Sequence, residues 1–135
     1  QVADSARAGS LDIEAAIDQA AEVVDFTGIS ALVGLAGTVT TITAQALRLT
    51  AYDPQRIHLS RLLITELTTA CSELLAMTRA QRAALPFMHE GRVDVIGAGG
   101  LIWRCILERL GEDSGLVDAI TSEHDILDGI ALSIA

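Results

Sequence analysis

Residues 29–41, ISALVGLAGTVTT, constrain the fold more than any other stretch of this chain. Ile29 to Leu35 is short, apolar and unalternating, the pattern of a strand buried on both faces of a sheet. It runs straight into Ala36-Gly37-Thr38-Val39-Thr40-Thr41, and a helix of about ten residues follows, Ile42 to Leu49. Strand, Gly-Thr turn and helix make a βα unit, so the chain reads as an α/β fold.

The rest is mostly helical. Ile13, Ala16, Ile17, Ala20, Val23 and Val24 recur at three- and four-residue spacing, so 11–24 reads as an amphipathic helix with Ser10 as its cap. Residues 1–10 are small and polar and read as a tail or linker. A connector is expected over 55–64 and a helix from near Thr65. Thr78 with Gln81 three residues on is a capping box opening a short helix that Pro86 stops. A long helix is expected over Arg92 to Leu110 with Gly111 as its C-cap, interrupted by the run Gly97-Ala98-Gly99-Gly100. Such small residues suit the close approach of another backbone or a ligand. Leu116 to Ile120 is a second strand candidate. A last helix runs from His124 to Ile134, capped by Ser122 or a neighbour, with Asp125 in its first turn.

The Gly-Thr turn is the strongest chemical signal. Free N–H groups at a helix start, with the helix dipole behind them, bind anions. Threonine hydroxyls add donors. There is no Walker lysine; the chain contains no lysine at all. By itself, such a turn serves packing and capping equally well. Asp94 reads as a helix N-cap or first-turn acid, and Arg92 as a phosphate ligand or a solvated surface residue. Glu123-His124-Asp125 with Asp128 resembles a metal-ligand run, but neighbours on a helix point different ways. The three histidines and the two cysteines, Cys71 and Cys105, form no zinc-like spacing. The thiols read as buried and reduced, as in a cytoplasmic protein. Trp103 reads as core.

Charge needs a closer look. Nine arginines face 18 acids, a net of −9. Taken whole, that argues against nucleic acid and against anionic membranes. No apolar run approaches the roughly 20 residues that span a bilayer. Yet the acid sits at the two ends. Residues 1–47 carry −5 and 111–135 carry −6, while 48–110 carry +2. Half the residues are hydrophobic in only 135. So much apolar character in so short a chain points to surface that another domain or subunit covers. The opening on Gln1 rather than Met also reads as a piece of something longer.

Four segments, in order, resemble one family. Val33 to Thr41 (VGLAGTVTT) looks like the second-domain Gly-Thr loop of the exopolyphosphatase / guanosine pentaphosphate phosphohydrolase family. Arg79 to Pro86 (RAQRAALP) resembles its Thr-x-x-Glu-Arg…Leu-Pro segment. Gly91-Arg92-Val93-Asp94-Val95-Ile96 with Gly99 is similar to its Arg-Ala-Asp-Val/Ile…Gly helix start. Thr121 to Gly129 (TSEHDILDG) resembles its closing Ser…Leu-Arg-Glu-Gly segment, in an actinobacterial form with Leu127 and Asp128 in place of Arg and Glu.

The resemblance implies a helix-rich, partial actin-like (ribonuclease H-like) domain with two or more short strands. Residues 11–135 would be the C-terminal part of the second such domain. It implies a fragment of a phosphohydrolase releasing terminal phosphate from polyphosphate, or converting guanosine pentaphosphate to tetraphosphate. This part would supply one wall of the interdomain cleft. The alternative is a phosphate- or nucleotide-binding, or purely structural, module without catalysis. Gly37, Thr38 and Thr40 would face the phosphate. Arg92, Asp94 and Gly99 would line the cleft or stabilise the helix start. The family's catalytic glutamate and its other two phosphate loops have no counterpart here, so no catalytic or metal-binding residue is expected in the chain. Mg2+ would be held mainly by the domain that precedes it. That domain is an expected partner, and a homodimer is compatible with the reading.

Overall fold

A computed structural model describes residues 2–134. The first helix, α1, spans Val2–Ala21. Residues 2–10, expected as a tail or linker, are helical and continue the helix that the apolar spacing marks from residue 11. This stretch is small and polar, and alanine and arginine favour helix without leaving an apolar stripe to read. Ser10 sits inside it and donates its hydroxyl to the Ala6 carbonyl at 3.0 Å instead of capping.

The βα unit is present but shifted. Strand β1 covers only Val33–Leu35, and helix α2 starts at once, Gly37–Ala46. Helix α3 is a single turn, Pro54–Ile57, opened by Asp53, whose carboxylate accepts from the N–H of Gln55 and Arg56. Within the expected connector lies a third strand, β2, Arg61–Leu63. Helix α4 spans Ile64–Ala76. Helix α5, Arg79–Ala83, carries the expected reciprocal cap: Thr78 accepts from Gln81 N–H at 3.2 Å and Gln81 from Thr78 N–H at 2.8 Å. A 3-10 turn, Glu90–Arg92, leads to α6, Ile96–Ser114. Strand β3 is Asp118–Ser122 and α7 is Ile126–Ser133.

Two caps lie elsewhere than expected. Helix α6 ends at Gly115, which takes the left-handed conformation (φ 77°) that suits glycine. Gly111 lies inside the helix, packed near the Ile64 side chain. Asp125 is itself the cap of α7, accepting from Leu127 N–H at 2.8 Å.

The sheet order is β1-β3-β2, with β1 parallel and β2 antiparallel to β3. Its inner face carries Ala119 and Thr121 against α2, α4 and α6, where Val39, Ile42, Leu67, Leu74, Ile96, Trp103 and Leu107 form the main core. A hydroxyl pair, Thr43 to Thr121 at 2.7 Å, pins α2 to the sheet inside this core. Helices cover one face only. Gly34 is buried, with the Trp103 ring where its side chain would be, whereas Val33 and Leu35 on the other face are half exposed. The expectation of a strand buried on both faces is thus corrected: its apolar residues cover a face that no described residue packs on. Helix α7 likewise has no buried residue and exposes Ile126, Leu127, Ile130 and Leu132. Among the described residues, no helix is long and apolar enough to cross a membrane.

Candidate anion-binding cleft

The turn between β1 and α2 owes its shape to Ala36, which has φ 71° and ψ 173°. That region is nearly the preserve of glycine and costs a non-glycine residue about 1–3 kcal/mol. Ala36 also occupies the N-cap position and has no side chain with which to cap. The first intrahelical bond at this end is Thr40 N–H to the Ala36 carbonyl, at 3.1 Å. Among the described residues, the N–H groups of Gly37, Thr38 and Val39 therefore lack the cap that most helices provide.

These groups open beside a cleft of about 550 Å3. Gly37, Thr40 and Thr41 form its floor, and Tyr52, Phe87, His89, Arg92, Glu123 and Asp125 its sides. Arg92 comes from the 3-10 turn, and its guanidinium lies directly over Gly37: a methyl group at 37 would overlap it. The other cleft charges are negative. Glu123 accepts from the Tyr52 hydroxyl at 2.6 Å. Burial, then that bond to Glu123, pushes the Tyr52 phenol above its ordinary value, with Thr40 and Arg92 opposing. The cleft therefore has a cationic pole, made of a helix N-terminus and one guanidinium, and an acidic pole across from it.

Of the six residues singled out from the sequence, three line this cleft: Gly37, Thr40 and Arg92. Thr40 Oγ1 donates to the Gly37 carbonyl at 3.2 Å, so the hydroxyl of Thr40 also ties down the turn. Thr38 does not line it. Its side chain packs against α6 at Gly99, where a Cβ would come within 2.8 Å of it. Gly99 accordingly serves helix packing, and the N–H is the one group of Thr38 left as a candidate donor. Asp94 lies outside as well. It pairs with Arg79 on the surface at 2.6 Å, and Val95 stands at the N-cap of α6. That pairing, through the hydrogen bond first, holds the Asp94 carboxyl below its usual range.

The glycine run of α6 is explained by neighbours. Gly97 leaves room for the Arg82 guanidinium, which donates to the Leu74 carbonyl at 2.8 Å, and Gly100 faces the backbone of Cys71. Cys71 and Cys105 are both buried and unpaired. Burial raises both thiols, Cys71 to about 12.

Thr41, from the same Gly-Thr turn, also lines the cleft, while Tyr52 and His89 belong to it but carry no local signal. They come from separate segments that only the tertiary fold assembles. The described residues hold no group of three or more His, Cys, Asp or Glu side chains suited to a metal. In the cleft, Glu123 accepts from Tyr52 and Asp125 caps α7. The donor set does not fit a Mg2+ site, and no chemistry is routed through one here.

The Ppx/GppA phosphatase family model matches residues 9–134. The chain is similar to Exopolyphosphatase 2 of Mycobacterium tuberculosis, 53% identical over 103 residues, covering 76% of this chain and 32% of that protein. It is also similar to a bifunctional 3-dehydroquinate synthase/phosphatase of Fusobacterium nucleatum, 33% identical over 112 residues, covering 82% of this chain and 16% of that one. The chain thus spans about a third of the Mycobacterium relative and less of the other. Among solved structures, an exopolyphosphatase-like protein superposes with a TM-score of 0.92 at 33% identity, over 96% of this chain and 42% of that one. A Ppx/GppA family member from Aquifex aeolicus superposes with a TM-score of 0.76 at 22% identity, over 94% and 39%. The latter speaks for the shared fold alone.

Proposed function

The chain belongs to the Ppx/GppA phosphatase family, and from that premise we propose that it forms the phosphate-holding wall of a phosphohydrolase acting on inorganic polyphosphate or on guanosine pentaphosphate. The observation that carries this reading is the uncapped N-terminus of α2 opening beside the cleft beneath the Arg92 guanidinium. Three convergent N–H groups and a fork of guanidinium donors suit the oxygens of a terminal phosphoryl group. Charge that builds on those oxygens during attack by water is stabilised most by donors already in place, because they need no reorganisation.

Activation of the water belongs to another part of the whole protein. Glu123 holds Tyr52, Asp125 holds the start of α7, and Asp94 is paired on the surface. Each of these carboxylates already has a structural partner. Mg2+, if the whole enzyme uses it, is held by groups outside the described residues.

The test is calorimetry of the chain with inorganic tripolyphosphate, alongside Arg92→Ala. Binding that weakens about tenfold or more in the variant, equal to about 1.4 kcal/mol, supports the reading. Binding unaffected by Arg92→Ala, or none at all, overturns it. The chain alone is expected to release no phosphate from tripolyphosphate. Release by the chain alone would place a base inside it after all.

A further inference from the structure

The acidic pole of the cleft is held in place by a histidine outside it. Leu59 adopts a positive φ of 58°, and this turn lets Leu59 N–H donate to the Thr121 carbonyl at 2.7 Å. The turn leaves His58, half-buried, against the link between β3 and α7. There its Nδ1 accepts the Glu123 N–H at 3.1 Å. Edge-on to it stands His124, ring centroids 4.6 Å apart, with His124 Nδ1 3.4 Å from Asp128 Oδ1. The Glu123 side chain in turn holds the Tyr52 hydroxyl inside the cleft.

We infer that His58 is the positioning residue for the acidic pole of the cleft, and that protonating His58 releases that pole. The inference rests on the cleft being an anion site as proposed above.

The chemistry is simple. An imidazole nitrogen accepts a hydrogen bond only while it carries no proton. Protonation of Nδ1 turns the acceptor for Glu123 N–H into a donor, and two donors then face each other. Histidine as a class takes up a proton between about pH 5 and 8. A charged His58 would also lie edge-on to the His124 ring, 4.6 Å away. Asp128 Oδ1 lies 3.4 Å from the far ring, at His124 Nδ1. The other charged neighbours are engaged: Glu123 with Tyr52, and Arg61 on the following strand with Asp118 at 2.8 Å. The strain is relieved by the 122–125 turn moving off His58, which takes the Glu123 carboxylate from the cleft wall and frees Tyr52. Losing a carboxylate from the wall and gaining imidazolium charge beside it act in one direction. Both raise affinity for an anion as pH falls.

The discriminating variant is His58→Asn, whose Oδ1 can accept the same N–H and does not titrate. In NMR spectra of the ligand-free chain, the Glu123 amide and the Tyr52 ring resonances are expected to move with pH in step with the His58 ring. In His58→Asn, which keeps His124 beside Glu123, they are expected to move markedly less. In calorimetry with inorganic tripolyphosphate, the ratio of wild-type to His58→Asn affinity is expected to rise severalfold from pH 8 to pH 5.5. The ratio cancels the ligand's own protonation. A Glu123 amide that ignores pH, or moves identically in both proteins, overturns the inference. So does an affinity ratio that stays flat. If tripolyphosphate fails to bind either protein at every pH while the NMR titration follows His58, the anion-site reading falls and the His58–Glu123 coupling stands.

Discussion

The Arg92 guanidinium occupies the space that a side chain on residue 37 would need. The two residues come from segments more than fifty positions apart, and the fold stacks one on the other in the lining of the cleft. Gly37→Ala must therefore displace Arg92 or shift the turn. It is expected to weaken tripolyphosphate binding about as much as Arg92→Ala does, on the order of tenfold. Because both changes disrupt one unit, the double variant should bind little worse than either single one. Calorimetry on the four proteins checks this, and additive losses would separate the two residues.

A second close approach, Gly99 against Thr38, concerns packing and not binding. Gly99→Ala brings a methyl group within 2.8 Å of the Thr38 side chain. Overpacking of this kind costs about 1–3 kcal/mol, offset by up to about 1 kcal/mol because alanine favours helix over glycine. A net loss of stability is expected in urea titrations, recovered in large part by adding Thr38→Ala. Thr38→Ala alone should leave tripolyphosphate affinity within about twofold.

Inside the core, Thr43 and Thr121 share one hydrogen bond of 2.7 Å. Replacing Thr43 alone with valine strands the Thr121 hydroxyl in a buried site, an expected cost of about 1–3 kcal/mol. Replacing both with valine removes the orphan and should restore most of the loss. Thermal or chemical denaturation of the two single variants and the double gives the coupling energy directly.

Acid stability has a named contributor in Glu73. Hydrogen bonds first from Arg48 and then from Gln45 lower its carboxyl below the ordinary 4.5. A group whose folded value is lowered stabilises the fold fully above its unfolded value. It loses that contribution as pH falls through the folded one. The stabilisation is thus complete above about pH 4.5 and fades below it. Glu73→Gln should make unfolding midpoints less sensitive to pH below that point, with no change in pH dependence near neutrality. An unchanged acid limb would show that the Arg48 pair matters little.

Where local chemistry decides, the sequence could be read. The Thr78–Gln81 cap formed as its spacing required, because both partners lie within one turn. The order of strand, Gly-Thr turn and helix held as well, although the helix begins at Gly37. Where longer-range packing decides, it could not. Strand β2 is three residues long and exists only through its ladder with β3. Gly111 and Gly115 stand one turn apart, and only the left-handed φ of Gly115 tells the cap from the packed glycine. Thr38 and Thr40 look alike as donors beside a glycine. Helical rotation sends the side chain of Thr38 to α6 and that of Thr40 to the cleft.

The conformation of Ala36 has a consequence for how such a site persists over time. The donors at the start of α2 are main-chain atoms, aimed by a backbone angle that alanine adopts under strain. Substitution can remove Arg92, and with it much of the affinity, in a single step. It cannot remove an N–H group short of introducing proline. The main-chain donors of the cleft are therefore carried by the chain trace, and the side chains around them are the part free to be retuned.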